Sequence, residues 1–199
     1  MSLKFQYNKT ALQELNKQLK VRIKALPTLK NKESALRLEV KRARDKVHEL
    51  DLSIQAKFNE LNEFMKLYTE FDPSLVKIRE IDIQSRKIAG VQTPLLGKIE
   101  YELAQINLFR APTWFLDGVQ LLKQVSELQI EQRLFQRKMQ ILEHVRKKTT
   151  QKVNLYEKVQ IPAFEEGILK IKRFLEDEEN LSKAGQKILK NRMSNEAAL

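Results

Sequence analysis

Two long runs of apolar residues at heptad spacing, one toward each end of the chain, constrain this sequence more than anything else in it. In the first, Leu36, Val40, Ala43, Val47, Leu50, Ile54, Phe58, Leu61, Met65 and Tyr68 follow at steps of three and four, with one extra residue at Phe58. In the second, Leu121, Val125, Leu128, Gln132, Phe135, Met139 and Leu142 do the same. Side chains at such steps line one stripe of a helix, and a stripe of that length must be covered by another. Two in one chain, joined by a segment able to reverse direction, predict an antiparallel two-helix coiled coil in a mainly α protein. Fifty to sixty helical residues extend roughly 75–90 Å at about 1.5 Å each. A rod of that kind points to a mechanical or linking role before it points to an active site.

Local signals divide the chain into an arm over 1–70, a central region over 71–112, a second arm over 113–180 and a polar, partly frayed tail over 181–199. Thr10, with Gln13 three residues on, reads as a cap and weak capping box. Leu12, Leu15, Leu19, Ile23 and Leu26 open the first stripe, and Pro27 predicts a kink or break costing about 3 kcal/mol. Phe71-Asp72-Pro73-Ser74 ends the arm as a turn. The period then changes from helix to strand, with Val76, Ile78, Ile81 and Ile83 alternating with polar residues. A second strand is read over 98–103, after a loop marked by Gly90, Pro94 and Gly97, so the middle is predicted to be a β-hairpin. Thr113 caps the second arm, whose stripe continues through Val153, Tyr156 and Val159 to Pro162, and then through Ile168, Ile171 and Leu175. Setting Tyr68 opposite Leu121 brings Pro27 level with Pro162, which predicts a shared bend.

Composition narrows the chemistry. There is no Cys, so disulfides and thiolate metal sites are excluded. His48 and His144 are the only histidines and have no metal-ligand spacing around them. No P-loop, dinucleotide turn, zinc motif or nucleophile elbow is present. Glu165-Glu166 and Glu176 to Glu179 are carboxylate clusters without a His partner and read as solvated helix surface. No catalytic, cofactor-binding or metal-binding residue is therefore expected. No apolar run nears the roughly 20 residues that span a bilayer, and 1–10 does not read as a signal peptide, so a cytoplasmic location is expected.

The formal net charge of +11 is carried by the two arms: residues 1–70 contribute +6, 71–118 nothing and 119–199 +5. The densest basic stretch runs from Lys17 to Lys46 and includes Lys20, Arg22, Lys24, Lys30 and Lys32. A solvated helix face explains it, and so does an acidic protein surface or nucleic acid. Aromatic residues for base stacking are not interleaved with these cations, which counts against nucleic acid. A scaffolding coiled coil that dimerises or binds membrane surfaces is a third reading.

Three blocks carry a resemblance to a known family. Arg86-Lys87-Ile88-Ala89-Gly90-Val91-Gln92-Thr93-Pro94 resembles the R-N-I-M-G-V-x-V-P signature of the D subunit of V-type (vacuolar/archaeal) ATPases. Val153-Asn154-Leu155-Tyr156-Glu157, Ile161-Pro162, Ile168, Ile171, Lys172, Arg173 and Leu175 are similar to its V-N-x-L-E…I-P…I…I-K-R…L block. Leu29-Lys30-Asn31-Lys32 through Leu36 is similar to its L-K-x-K-x-x-x-L segment. Lys87, Ala89, Tyr156 and Pro27 depart from the family pattern. The resemblance implies a non-catalytic central-stalk rotor, its helical arms inserted into a catalytic A/B hexamer. Its middle would dock on the small F subunit and on the membrane-ring adaptor (the C or d subunit). Such a rotor would be peripheral to the membrane through the complex and bind no nucleic acid. Its implied contacts are Arg86, Ile88, Gly90, Val91 and Pro94 in the hairpin, and Lys20, Arg22, Lys24, Lys30, Lys32, Lys172 and Arg173 on the shaft.

Overall fold

The structure, a computed structural model, describes residues 5–68, 76–104 and 115–196. Helix α1 (Lys9–Tyr68) leads to strands β1 (Val76–Ile88) and β2 (Val91–Leu103). Helix α2 (Phe115–Asn154) then passes through a π-helical turn (Leu155–Gln160) into α3 (Ile161–Glu196). The chain is thus mainly helical, with one antiparallel hairpin in its middle. It forms two compact units, one of Met1–Asn31 with Thr149–Leu199 and the other of Lys32–Lys148. The Phe71-Asp72-Pro73-Ser74 turn and Thr113 lie outside the described residues, as do the side chains of Leu61, Met65 and Tyr68.

In the first unit α1 begins one residue earlier than Thr10, and its cap is Asn8. The Asn8 side-chain oxygen accepts the Ala11 N–H at 2.7 Å, and its carbonyl accepts Leu12 N–H at 3.1 Å. Asn is as good a cap as Ser or Thr, and its side chain satisfies a donor that the first turn leaves open. Leu15, Phe164, Ile168 and Ile171 form the core, flanked by Phe5, Ala11, Leu12, Leu19 and Leu175. Ile171 is wholly buried, which contributes roughly 1.5–3 kcal/mol.

Strict three-four stepping from Leu19 selects Arg22, not Ile23, and the structure follows the stepping. Ile23 is 47% exposed, whereas Arg22 is half-buried in the seam. Pro27 lies inside the continuous α1. Both Pro27 and Ile23, whose carbonyl loses its donor to the proline, are exposed, so water can meet the freed group. The expected shared bend is corrected by the register. Arg22 bonds Gln160 and stacks on Phe164, so Pro162 lies level with Arg22. Lys30 meets Glu157 at 2.6 Å, so Pro27 faces the π turn instead. Taken together, the two contacts set the prolines two to five residues of α1 apart, roughly 3–7.5 Å along the axis.

The π turn has a readable cause. The stripe Leu142, Thr149, Val153 continues in strict heptad steps to 160, 163, 167 and 170, yet the apolar side chains that form the core are Phe164, Ile168 and Ile171, each one residue late. A π turn takes in one extra residue without breaking the helix. Here the Ile161 N–H reaches back five residues to the Tyr156 carbonyl. Pro162, which offers no N–H and crowds the preceding turn, favours the widening at that point.

In the second unit Leu36, Val40, Leu142 and Val91 form the core, with Met139, Ile141 and Val145 packed on it. Leu36 and Leu142 are fully buried. Farther along the same helix pair Gln132 donates to Asp51. Phe58, expected inside, is 45% exposed, because the heptad continues through Lys57 and turns the extra residue outward. Both strands are longer than expected. They run through the anticipated loop to a two-residue turn at Ala89-Gly90, with φ of 49° and 78°. Two positive φ values match the twist of the flanking strands, and glycine adopts one without strain. Pro94 is accommodated opposite Ser85 because a two-stranded sheet consists only of edges.

Candidate functional site

The hairpin is fastened at both ends of the second unit. At its tip Val91 is 8% exposed and inserts between α1 and α2 against Leu36, Val40 and Leu142. Next to it Thr93 is buried, its hydroxyl donating to the Arg86 carbonyl across the ladder at 3.0 Å. Toward its base Tyr101 shares a 2.8 Å hydrogen bond with Ser126 and lies 3.3 Å from the Lys123 carbonyl of α2. Burial pushes the Tyr101 phenol above its ordinary value, so it stays a neutral hydroxyl. Along its length the hairpin exposes apolar side chains, Ile78 and Ile83 on β1 and Leu95 and Leu103 on β2, each 42–54% accessible.

The five expected hairpin contacts thus divide. Val91 is a core residue, and Ile88 and Pro94 are half-buried, while Arg86 and Gly90 are exposed. The structure also brings together two positions far apart in the chain: the Lys32 ammonium lies 3.8 Å from where a Gly90 Cβ would stand. A second glycine, Gly97, expected in the loop, lies inside β2. A Cβ on Gly97 would collide with the Asp82 carboxylate and stand 3.0 Å from the Asp82 carbonyl. The ladder shifts register at this point, where Ile81 pairs Ile99 and Ile83 pairs Leu96, leaving Asp82 opposite Gly97 and Lys98. A glycine within an alternating strand was the available signal.

Among the basic positions, Lys20, Lys24, Lys172 and Arg173 are exposed. Arg22 is turned inward. Its Nε donates to Gln160 at 2.7 Å and its guanidinium lies 4.4 Å from the Phe164 ring centre and 5.9 Å from that of Tyr156. Lys30 pairs with Glu157, both side chains being nearly half exposed, an ion pair contributing about 0–1 kcal/mol. Several other basic residues are occupied along their own helix, Arg37 with Glu33, Arg42 with Glu39 and Lys46 with Glu49. On α2 the Arg146 guanidinium grips Glu143 at 2.6 and 3.0 Å and holds its carboxyl below the usual range. Among the described residues no group of side chains could hold a metal ion, and no helix is long and apolar enough to cross a membrane.

Two helix pairs with largely apolar seams, plus a pinned hairpin, define a mainly helical protein with a central β-hairpin. Sequence comparison gives that class a family: the family model of the ATP synthase D subunit matches residues 11–191. The V-type ATP synthase D subunit of Borreliella burgdorferi is 29% identical over 190 residues, covering 94% of each chain. Its counterpart in Chlamydia pneumoniae is 27% identical over 183 residues, covering 89% of this chain and 87% of that one. The chain belongs to the ATP synthase D subunit family, as a component of a rotary ATPase complex.

Proposed function

We propose that this chain is the central-stalk rotor of a V-type ATPase or ATP synthase, coupling ATP turnover in an A/B ring to ion movement through a membrane sector. It contributes no catalytic group, stays peripheral to the membrane, and contacts the A/B hexamer, the F subunit and the membrane-ring adaptor. The observation that carries the reading is the character of the helix pairs, within a family named for this complex. In each unit the interior is apolar and the exterior charged. A turning shaft needs side chains that re-form contacts at successive angles, and exposed Lys and Arg facing carboxylates, at about 0–1 kcal/mol each, meet that requirement. Lys20, Lys24, Lys172 and Arg173 are free to serve there, whereas Arg22 holds its own helix pair together. The hairpin, with Arg86, Ile88, Gly90 and Pro94 around a Val91 anchor, is the more permanent interface, because its exposed apolar residues Ile78, Ile83, Leu95 and Leu103 are held by a buried anchor.

The test is affinity capture from the native source with this chain as bait, followed by reconstitution. Recovery of large P-loop proteins with a small partner protein is the expected result; recovery of nucleic acid alone would overturn the reading. In reconstituted vesicles, Lys20→Glu/Lys24→Glu/Arg173→Glu should leave the fold unchanged and lower the ions moved per ATP hydrolysed. Unchanged coupling would remove these residues from the contact set.

A further inference from the structure

We propose that the exposed stripe of α3 beyond Leu175 pairs with the same stripe of a second copy, antiparallel, in the free chain. Leu175 is the last residue of α3 packed on a core, and every residue from 176 to 193 is exposed. Within that stretch Leu181 is 75% accessible, Ile188 55%, Leu189 61% and Met193 69%. Leu181 and Ile188 are seven residues apart and share a face, with Leu189 beside them, so the helix carries a further apolar stripe with no core cluster of the described residues against it.

Charge selects the occupant. The chain as a whole carries +11 and repels its own copies. Residues 176–192 are different: Glu176, Asp177, Glu178 and Glu179 are followed by Lys183, Lys187, Lys190 and Arg192, so the segment has no net charge and is split into an acidic and a basic block. A two-fold, antiparallel pairing about Ala184-Gly185 lays each acidic block along the other copy's basic block, bringing Leu181 level with Ile188 and Asp177 level with Arg192. Parallel pairing would set like on like. The crossing point suits close approach, because a Cβ at Gly185 would have nothing within 4 Å and small residues shorten the distance between helix axes. One face of five helical turns falls below the roughly 1,200 Å² of stable complexes, so the pairing is weak and reversible.

Sedimentation equilibrium of the full chain, from about 1 to about 200 µM, tests this over the range where a weak helix pair dissociates. The apparent mass should rise from 23.4 kDa toward twice that value, and less so in high salt. Leu181→Asp/Ile188→Asp should stay monomeric with an unchanged circular dichroism spectrum, since both residues are exposed. The chain has no Cys of its own, so orientation can be read by oxidation. Leu181→Cys mixed with Ile188→Cys should form a disulfide-linked pair, whereas Leu181→Cys alone should not. A mass that stays at one copy throughout, a dimer that survives the double Asp substitution, or ready crosslinking of Leu181→Cys to itself would each overturn the proposal. None of these readouts depends on assembly into a rotary complex.

Discussion

Replacing Arg22 tests whether a cation can be part of a coiled-coil seam. Arg22→Ala removes the Nε bond to Gln160, the bond to the Gln18 carbonyl at 3.1 Å and the stacking on Phe164. A hydrogen bond from a charged donor contributes about 1.5–3 kcal/mol when buried, and the half-buried site keeps the lower end of that range. The cation–π contact adds about 0.5–1 kcal/mol, and ordering a long side chain offsets up to about 2 kcal/mol. The net loss is therefore about 1–2 kcal/mol. Arg22→Leu restores apolar volume at the same seam position and should fall within about 1 kcal/mol of wild type. Urea unfolding at fixed chain concentration, followed by far-ultraviolet circular dichroism, measures both. Because the partners are an amide and aromatic rings, the loss in Arg22→Ala should change little between low and high salt. An Arg22→Ala chain as stable as wild type, or a loss that vanishes in salt, would refute the seam assignment.

Gly97→Ala should destabilise the hairpin, since the new methyl meets the Asp82 carboxylate and carbonyl. Hydrogen exchange in 76–103 should speed up, and Asp82→Ala in the same chain should recover part of the protection. Glu143→Gln should flatten the acid limb of the stability profile. A carboxyl held low by Arg146 contributes stability that is complete above its ordinary value of 4.5 and lost as pH falls through the lower, folded-state value. The difference should stay within about 1 kcal/mol, measured by urea unfolding from neutral pH downward. Deleting Val159 removes the extra residue that the π turn absorbs, so helicity and stability should remain near wild type. Deleting Arg137 instead, in regular α2, turns the downstream seam by about 100° and should cost several kcal/mol. Equal losses in the two deletions would refute the account of the π turn.

How legible this protein was can be judged residue by residue. Leu36, Val40, Ala43, Leu50, Val125 and Leu142 were placed inside by spacing alone, and each is buried. The hairpin was legible in the alternation around Ile78 and Ile83. Ile23 and Phe58 are exposed although hydrophobicity favours them over their neighbours, because the phase of the whole stripe decides which position faces inward. Asn8 and Thr10 are both good caps by residue type, and Asn8 is the one whose side chain bonds the first turn.

The sequence by itself determined the class of the molecule: heptad stripes must be buried by one another, a chain without Cys cannot be held by disulfides, and the arms must carry the positive charge. Tertiary structure decided the register, and with it which residues are contacts and which are core. Side-chain period defines a face but not an axial level. Only packing could put Pro162 opposite Arg22, draw Val91 out of a loop motif into the Leu36–Leu142 layer, and set Asp82 over Gly97, because these depend on distances between segments that local spacing does not encode.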